Sequence, residues 1–253
     1  MRAIISIGLA LAALLLAASP AAAAPVSWNT CTSPCPHVTP PSPSSLIDFN
    51  TLKFTGSGGV LFAHAYNTAG THPQYNNVLK TTITIWSGGL GAGPEDFPQH
   101  AVDNVGRDEF ILFVFPSDNF IPRSFRLGWV FNDADVITYI GGAGLGFFNS
   151  LESGSFDWDD FIANPAALGF VSQTFGSDTT SVPEGVPQLF TNGAMGRYLI
   201  VGARNEGTPC CDQGEDHFKV EQIKGDFAVP EPATVLLLVT GLAGVMAATR
   251  RRS

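Results

Sequence analysis

The chain carries little charge for its length. Only 14% of its 253 residues are Asp, Glu, Lys or Arg, and just 13 residues are basic. A chain with so few cations lacks the basic surface that binds nucleic acid or anionic lipid. The sequence also lacks a phosphate-binding loop, a dinucleotide-binding glycine motif, an HExxH zinc motif and a G-x-S-x-G nucleophile elbow. We therefore expect neither a nucleic-acid-binding protein nor an enzyme.

No apolar run reaches the roughly 20 residues of a full membrane span, and the two longest apolar segments lie at the chain ends. At the N-terminus, Arg2 precedes an apolar stretch over residues 3–18, and small residues follow at Ala21, Ala22 and Ala23. A basic start, a short apolar core and small residues before a cleavage point are typical of a secretory signal peptide. We predict that residues 1–23 form a signal helix that signal peptidase removes during export.

The C-terminus has a different order of features. A Pro-Glu-Pro element comes first, an apolar run over residues 235–249 follows, and three arginines precede the last residue. The apolar run of 15 residues is shorter than the roughly 20 residues of a full membrane span. The prolines keep the backbone extended, and the arginines hold the tail end in the cytoplasm. The segment therefore predicts a marginal, temporary membrane anchor.

This tail resembles the PEP-CTERM sorting signal. The residues that carry the resemblance are Val229, Pro230, Glu231, Pro232, Arg250, Arg251 and Arg252. The resemblance implies a sorting signal over residues 229–253 with a short hydrophobic helix. It also implies processing by exosortase, an integral membrane transpeptidase of Gram-negative bacteria that make extracellular polysaccharide. The expected route is export, an inner-membrane intermediate, and then the cell surface or the extracellular space. An ordinary membrane anchor is the alternative.

The region between the signals is acidic. It holds 9 basic and 21 acidic residues, a net charge of −12, which favours solubility and divalent cations over nucleic acid. Glycine and phenylalanine are plentiful, as is typical of an exported β protein. Four cysteines, Cys31, Cys35, Cys210 and Cys211, are disulfide candidates in an oxidising compartment, and all three pairings stay open.

Short alternating apolar runs separated by glycine clusters predict an all-β fold. We expect an irregular arm rich in Pro, Ser and Thr over residues 24–45, and then an antiparallel β-sandwich of jelly-roll type over residues 46–228. One short helix is expected over residues 157–168. The predicted strands cover residues 46–54, 60–66, 79–86, 109–115, 124–130, 136–140, 170–175, 198–203 and 217–223.

Several blocks in the middle of the chain carry a second resemblance. They occur in the order Gly89-Leu90-Gly91, residues 100–109, the apolar run 110–115, residues 127–130, residues 132–135, residues 198–203 and residues 216–220. Their order is similar to that of exosortase-dependent surface proteins with PEP-CTERM tails, over roughly residues 88–223 with a gap at 144–195. The resemblance implies a surface-associated or matrix protein with no enzymatic role.

Oxygen-bearing side chains cluster in a loop around Gly106. Asp103, Asn104, Asp108 and Glu109 are the hard ligands that Ca²⁺ prefers, so this loop is a calcium candidate. The alternative is that Asp103 and Asn104 cap a turn through hydrogen bonds to the backbone. Two further acidic turns, Asn132-Asp133-Ala134-Asp135 and the set of Asp212, Glu215 and Asp216, are candidates to add ligands. Asp216 and its neighbours would complete a site with Asp48 or with the Asp103 loop.

An acidic segment near residue 158 suggests a possible sugar site. Trp158 is flanked by Asp157 and Asp159, which makes it a candidate for an exposed ring, and an exposed aromatic ring can stack on a sugar. Trp158 with Asp160 is the candidate carbohydrate site; the alternative is a tryptophan folded over the sandwich edge. The expected function is that of a structural or interaction protein of the exopolysaccharide or biofilm matrix. The second possibility is a secreted module that binds carbohydrate or calcium.

Overall fold

Antiparallel β-strands dominate the chain. The computed structural model describes residues 25–30, 38–39, 51–68, 77–86, 88–93, 101–105, 107–177, 179–204 and 215–228. The expectation of an all-β protein is confirmed, because the strands form two sheets that enclose a shared apolar core. Within these residues no helix is long and apolar enough to cross a membrane. The predicted signal and sorting helices lie outside them.

The first sheet, sheet A, is organised around one long strand. This strand, β15 (Asp216–Phe227), pairs antiparallel along its length with β10 (Phe120–Asn132). On its other side β15 pairs in turn with three shorter strands. These are β1 (Val26–Asn29), β7 (Gly89–Ala92) and β8 (Val102–Asp103), while β6 (Ile83–Trp86) and β13 (Gln188–Leu189) extend the sheet outward.

The second sheet, sheet B, faces sheet A across the core. Its order runs β12, β11, β14, β9, β4, β3 and β2, and β5 pairs with β4. The bounds are β2 (Val38–Thr39), β3 (Thr51–Gly56), β4 (Gly59–Thr68), β5 (Val78–Lys80), β9 (Glu109–Val114), β11 (Val136–Gly141), β12 (Phe170–Phe175) and β14 (Tyr198–Ala203).

Period-two alternation sends the side chains of sheet B into two separate apolar clusters. Ile111 and Phe113 of β9 point into the core between the sheets, whereas Phe110 and Leu112 point to the outer face. Two short helices, α1 (Gly146–Glu152) and α2 (Trp158–Ala163), cover that outer face. The covered face explains why the β9 sequence reads as a continuous apolar run.

The predicted helix over residues 157–168 is present in two parts. The Asp157 side chain caps α2 by accepting a hydrogen bond from the Asp160 amide at 3.1 Å. The α-helix ends at Ala163, and a 3₁₀ turn follows over Pro165–Leu168. Proline lacks the amide hydrogen that would continue the α-helix, which accounts for the break.

Two sequence-based expectations about strands are wrong. The run over residues 79–86 is not one strand, because β5 belongs to sheet B and β6 to sheet A, and the chain changes sheets between them. The stretch expected to be an irregular arm contains β1, whose Val26 and Trp28 are buried against β15. Residues 25–227 form one compact unit that includes β1. The jelly-roll topology stays a prediction.

Gly225 shows how tightly the end of β15 is packed. A Cβ atom at this position would collide with the Phe120 ring and the Ile121 carbonyl oxygen. Because backbone and a buried ring cannot both move away cheaply, we expect Gly225→Ala to lower the free energy of unfolding by about 1–3 kcal/mol. The measurement is urea denaturation of the exported protein.

Gly146→Ala is the matched control. A Cβ at Gly146, the first residue of α1, would meet nothing within 4 Å. Alanine loses less backbone entropy on folding, so we expect a change between zero and about 1 kcal/mol of added stability. Equal effects of the two substitutions would contradict the close approach of β10 to Gly225.

Candidate functional site

Three carboxylates converge where β10 ends and β15 begins. Asp133 and Asp135 lie in the turn between β10 and β11, and Asp216 is the first residue of β15. One oxygen of each carboxylate lies within 4.8 Å of the others, and Asp135 and Asp216 are buried. Asn132 opens the turn with a φ of 59°, the left-handed conformation that asparagine tolerates well. Carboxylate oxygens at this separation suit a hard divalent cation.

Asn104 links the predicted calcium loop to this acidic cluster. Its side-chain amide donates to Asp216 Oδ2 at 2.9 Å, and its Oδ1 accepts from the Asp216 amide at 3.1 Å. The other Asp216 oxygen accepts from the Asp135 amide at 2.7 Å. We call Asn104, Asp133, Asp135 and Asp216 the acidic cluster. The acidic cluster therefore contains Asp133 and Asp135 from one acidic turn and Asp216 from the other. Asn104 is its one member from the loop around Gly106.

The other residues of the predicted calcium loop lie elsewhere. Asp103 Oδ1 accepts from the Val105 amide at 3.0 Å, which is the turn-capping contact of the alternative interpretation. Asp108 lines a cavity on the outer face of sheet B. A Cβ on Gly93 would come within 2.7 Å of Glu109 Oε1. Asp108 and Glu109 both line the cavity beside Trp158, and neither belongs to the acidic cluster.

A buried histidine, His217, borders the acidic cluster. His217 follows Asp216 on β15 and is fully buried, with Nδ1 3.8 Å from Asp103 Oδ2 and Nε2 3.5 Å from Glu215 Oε2. Its amide donates to the Asp133 carbonyl at 3.1 Å. No local motif marks His217; the pairing of β15 with β10 and with β8 brings it to this position.

Trp158 is buried, so it is not the exposed ring that the carbohydrate interpretation requires. Its ring stacks on Phe110 at 4.4 Å between centroids and 7° between planes, which leaves that face closed to a sugar. Trp158 lines, with Asp108 and Tyr139, a cavity of about 420 Å³. Burial raises the pKa of Tyr139, and the negative charge of Asp108 raises it further, so this phenol stays protonated. Asp160 is exposed in the first turn of α2.

A charged network joins α1 to sheet B. The Tyr66 hydroxyl donates to Glu152 Oε1 at 2.6 Å, and Lys80 Nζ lies 2.5 Å from Glu152 Oε2. Burial alone would raise the pKa of Glu152, but the hydrogen bonds from Lys80 and Tyr66 hold it below its ordinary value of 4.5. Glu152 is the last residue of α1, so its carboxylate fixes the helix over the outer apolar face.

This network predicts how acid affects stability. Because the folded state lowers the pKa of Glu152, its stabilising effect is complete above pH 4.5 and fades as pH falls through the folded value. We expect Glu152→Gln to lower the urea midpoint at pH 7, and the difference in midpoint from the unsubstituted protein to be smaller at pH 3. A gap that is the same at both pH values would contradict an ionised Glu152 in the network.

The four cysteines and the C-terminal sorting residues lie outside the residues that the structure describes, so the disulfide pairing stays a prediction. A family model for the PEP-CTERM protein-sorting motif matches residues 228–252. No curated protein and no solved structure matches the chain. The resemblance of the middle blocks to exosortase-dependent surface proteins stays a prediction. The C-terminus of this chain therefore carries the PEP-CTERM sorting motif, which marks an exported, exosortase-dependent surface protein.

Proposed function

We propose that the β-sandwich acts outside the cell as a structural or interaction component of the exopolysaccharide matrix. The observation that carries this proposal is the sorting motif, which begins one residue after the last strand, at residue 228. The delivered part is then the folded unit of residues 25–227. The proposed role involves no catalysis by this chain.

The surface chemistry of the folded unit supports a role beside polysaccharide. The region between the two signals has a net charge of −12, which keeps it soluble and disfavours nucleic acid and anionic lipid as partners. The chain has no sequence motif for hydrolysis or phosphoryl transfer. Extracellular polysaccharide and exosortase are therefore the proposed partners, and signal peptidase is the proposed partner during export.

The sorting step makes a direct prediction. Replacing Pro230, Glu231 and Pro232 with alanine removes the rigid element, so we expect processing and surface delivery to stop and the uncut chain to stay in the membrane fraction. Immunoblots of cell fractions, with mass spectrometry of the C-terminus, measure both. Unchanged processing would contradict sorting by this motif.

The folded unit supplies a matched control. Val182-Pro183-Glu184 repeats the first three residues of the motif, and Pro183 and Glu184 are exposed. No apolar run or arginine cluster follows them. The Pro183→Ala, Glu184→Ala double variant should therefore be processed and delivered like the unsubstituted protein.

The matrix role has its own test. Cells that lack the protein should retain less exopolysaccharide at the surface, and the unsubstituted gene should restore retention. The chain with alanines at the motif should not restore it. Normal retention without the protein would contradict the matrix role and leave the sorting result untouched.

A second candidate function, calcium binding, is favoured by the acidic cluster. Three carboxylates within 4.8 Å repel one another, and a bound cation would remove that repulsion in the folded state. At free calcium of about one hundred times the dissociation constant, binding would add about 2.7 kcal/mol. We therefore expect the melting temperature to rise by roughly 5–10 °C in calcium relative to chelator.

Two variants locate the calcium effect. Asp133→Asn removes one carboxylate from the half-buried edge of the cluster and should abolish most of the shift. Asp226→Asn removes a carboxylate that pairs with Arg123 at the other end of β15 and should keep the full shift. Equal melting temperatures in calcium and chelator, or equal loss in both variants, would exclude the acidic cluster as a calcium site.

A further inference from the structure

The two ends of the folded unit lie beside each other at one end of sheet A. Val26 of β1 pairs with Gly225 of β15, and Phe227 of β15 pairs with Phe120 of β10. Phe120 in turn forms a bridge to Gly196. Because neighbouring strands are about 4.8 Å apart, Gly196 lies about 10 Å from Phe227. The chain thus enters and leaves the folded unit through the same small area.

Side chains anchor β15 up to its last residue. The Phe227 ring packs 5.5 Å from the Phe120 ring and 6.3 Å from Trp28, centroid to centroid. One residue earlier, Asp226 pairs with Arg123 at 2.6 Å. Trp28 and Phe120 are buried, so this end of the strand is part of the packed core rather than a frayed terminus.

The link from this anchored end to the sorting motif is short. Pro230 is the third residue after Phe227, and a fully extended chain spans at most about 3.6 Å per residue. Pro230 is therefore at most about 11 Å from Phe227. An enzyme that holds the motif must meet the surface around Phe227.

That surface carries exposed apolar side chains beside two ion pairs, Arg123–Asp226 and Arg197–Asp118. Leu145, which precedes α1, is 52% exposed, and Met195, next to Gly196, is 51% exposed. The loop that carries Leu145 is fixed beside β14, because the Arg197 amide donates to the Gly142 carbonyl at 3.1 Å. Arg197 also pairs with Asp118, which neutralises both charges locally. We call the area formed by Val26, Phe227, Leu145, Met195 and Arg197 the terminal pole.

An open groove extends the terminal pole along sheet B. It has a volume of about 550 Å³, and its lining includes the apolar Phe62, Leu145 and Phe148 together with the polar His64, Glu152 and Arg197. Phe62 is 40% exposed. Exposed apolar side chains that are contiguous on a protein with an acidic surface indicate a contact area. Because Pro230 follows Phe227 so closely, the enzyme that binds the sorting motif must come within reach of this contact area.

We infer that the terminal pole is the surface that contacts exosortase while the enzyme holds the sorting motif. This inference rests on the sorting motif and adds a second recognition element to it. The fitting partner surface is apolar and carries no strong charge, as at the outer edge of a membrane-embedded enzyme near the lipid headgroups. Contact with the pole would make the folded unit, and not the motif alone, part of the substrate.

The test uses the full chain in its host and measures the rate of processing by pulse-chase. Leu145→Asp and Met195→Asp place a charge on the pole at half-exposed positions, and we expect each to slow processing about fivefold to tenfold. Val105→Asp is the matched control, since Val105 is 45% exposed near the start of β15, at the opposite end. Its processing rate should not change.

A second set of variants distinguishes slow processing caused by lost contact with the enzyme from slow processing caused by misfolding. Inserting about 20 glycine and serine residues between Ala228 and Val229 lets the enzyme take the motif without meeting the pole. When they carry the insertion, the Leu145→Asp and Met195→Asp variants should be processed as fast as the chain that has the insertion and no substitution. Slowing of the same size with and without the insertion would overturn the inference, as would no slowing in the native chain.

The same experiment distinguishes failure of the sorting function. If the chain with alanines at Pro230, Glu231 and Pro232 is processed normally, sorting by the motif is wrong and the pole proposal fails with it. If that chain is not processed while the pole variants are processed at the normal rate, sorting stands and the pole proposal alone is overturned.

Discussion

Pairing of β15 with β10 is the interaction on which the rest of the structure depends. The two strands pair from Phe120 and Phe227 at one end to Asn132 and Asp216 at the other, and three shorter strands then pair with the free side of β15. The same ladder positions both functional regions. It brings the acidic cluster together at the start of β15, and it holds the end of β15 in the core directly before the sorting motif.

Sequence reasoning predicted the elements whose causes are local. The period-two pattern and glycine clusters indicated an all-β fold, and the strands over residues 170–175 and 198–203 have the predicted bounds. The helix near residue 157 was predicted with Asp159 or Asp160 near its start, and the structure has Asp157 as its N-cap. The split between β5 and β6 was missed because the apolar pattern continues across the change of sheet. β7 was missed because its glycines read as a turn, although they lie in a strand beside β15.

The candidate site was only partly accessible from sequence, since its members come from distant parts of the chain. Asp133, Asp135 and Asp216 were recognised as two separate acidic turns, and Asn104 as part of a third loop. Residue types indicated possible ligands, but only the pairing of β10 and of β8 with β15 brings them together. Trp158 shows the converse limit: its charged neighbours suggested exposure, whereas contact with Phe110 buries it. The sorting motif was fully predictable, because processing reads a contiguous stretch of sequence.

The account joins a folded β-sandwich to a tail that a membrane enzyme removes or exchanges. The most direct measurement is the intact mass of the mature protein from its native host, with and without exosortase. The account predicts an N-terminus near residue 24 in both strains and loss of residues beyond about Pro232 only when exosortase is present. Additional mass on the new C-terminus would show attachment to another molecule. An identical, uncut C-terminus in both strains would contradict the account and make the tail a simple anchor.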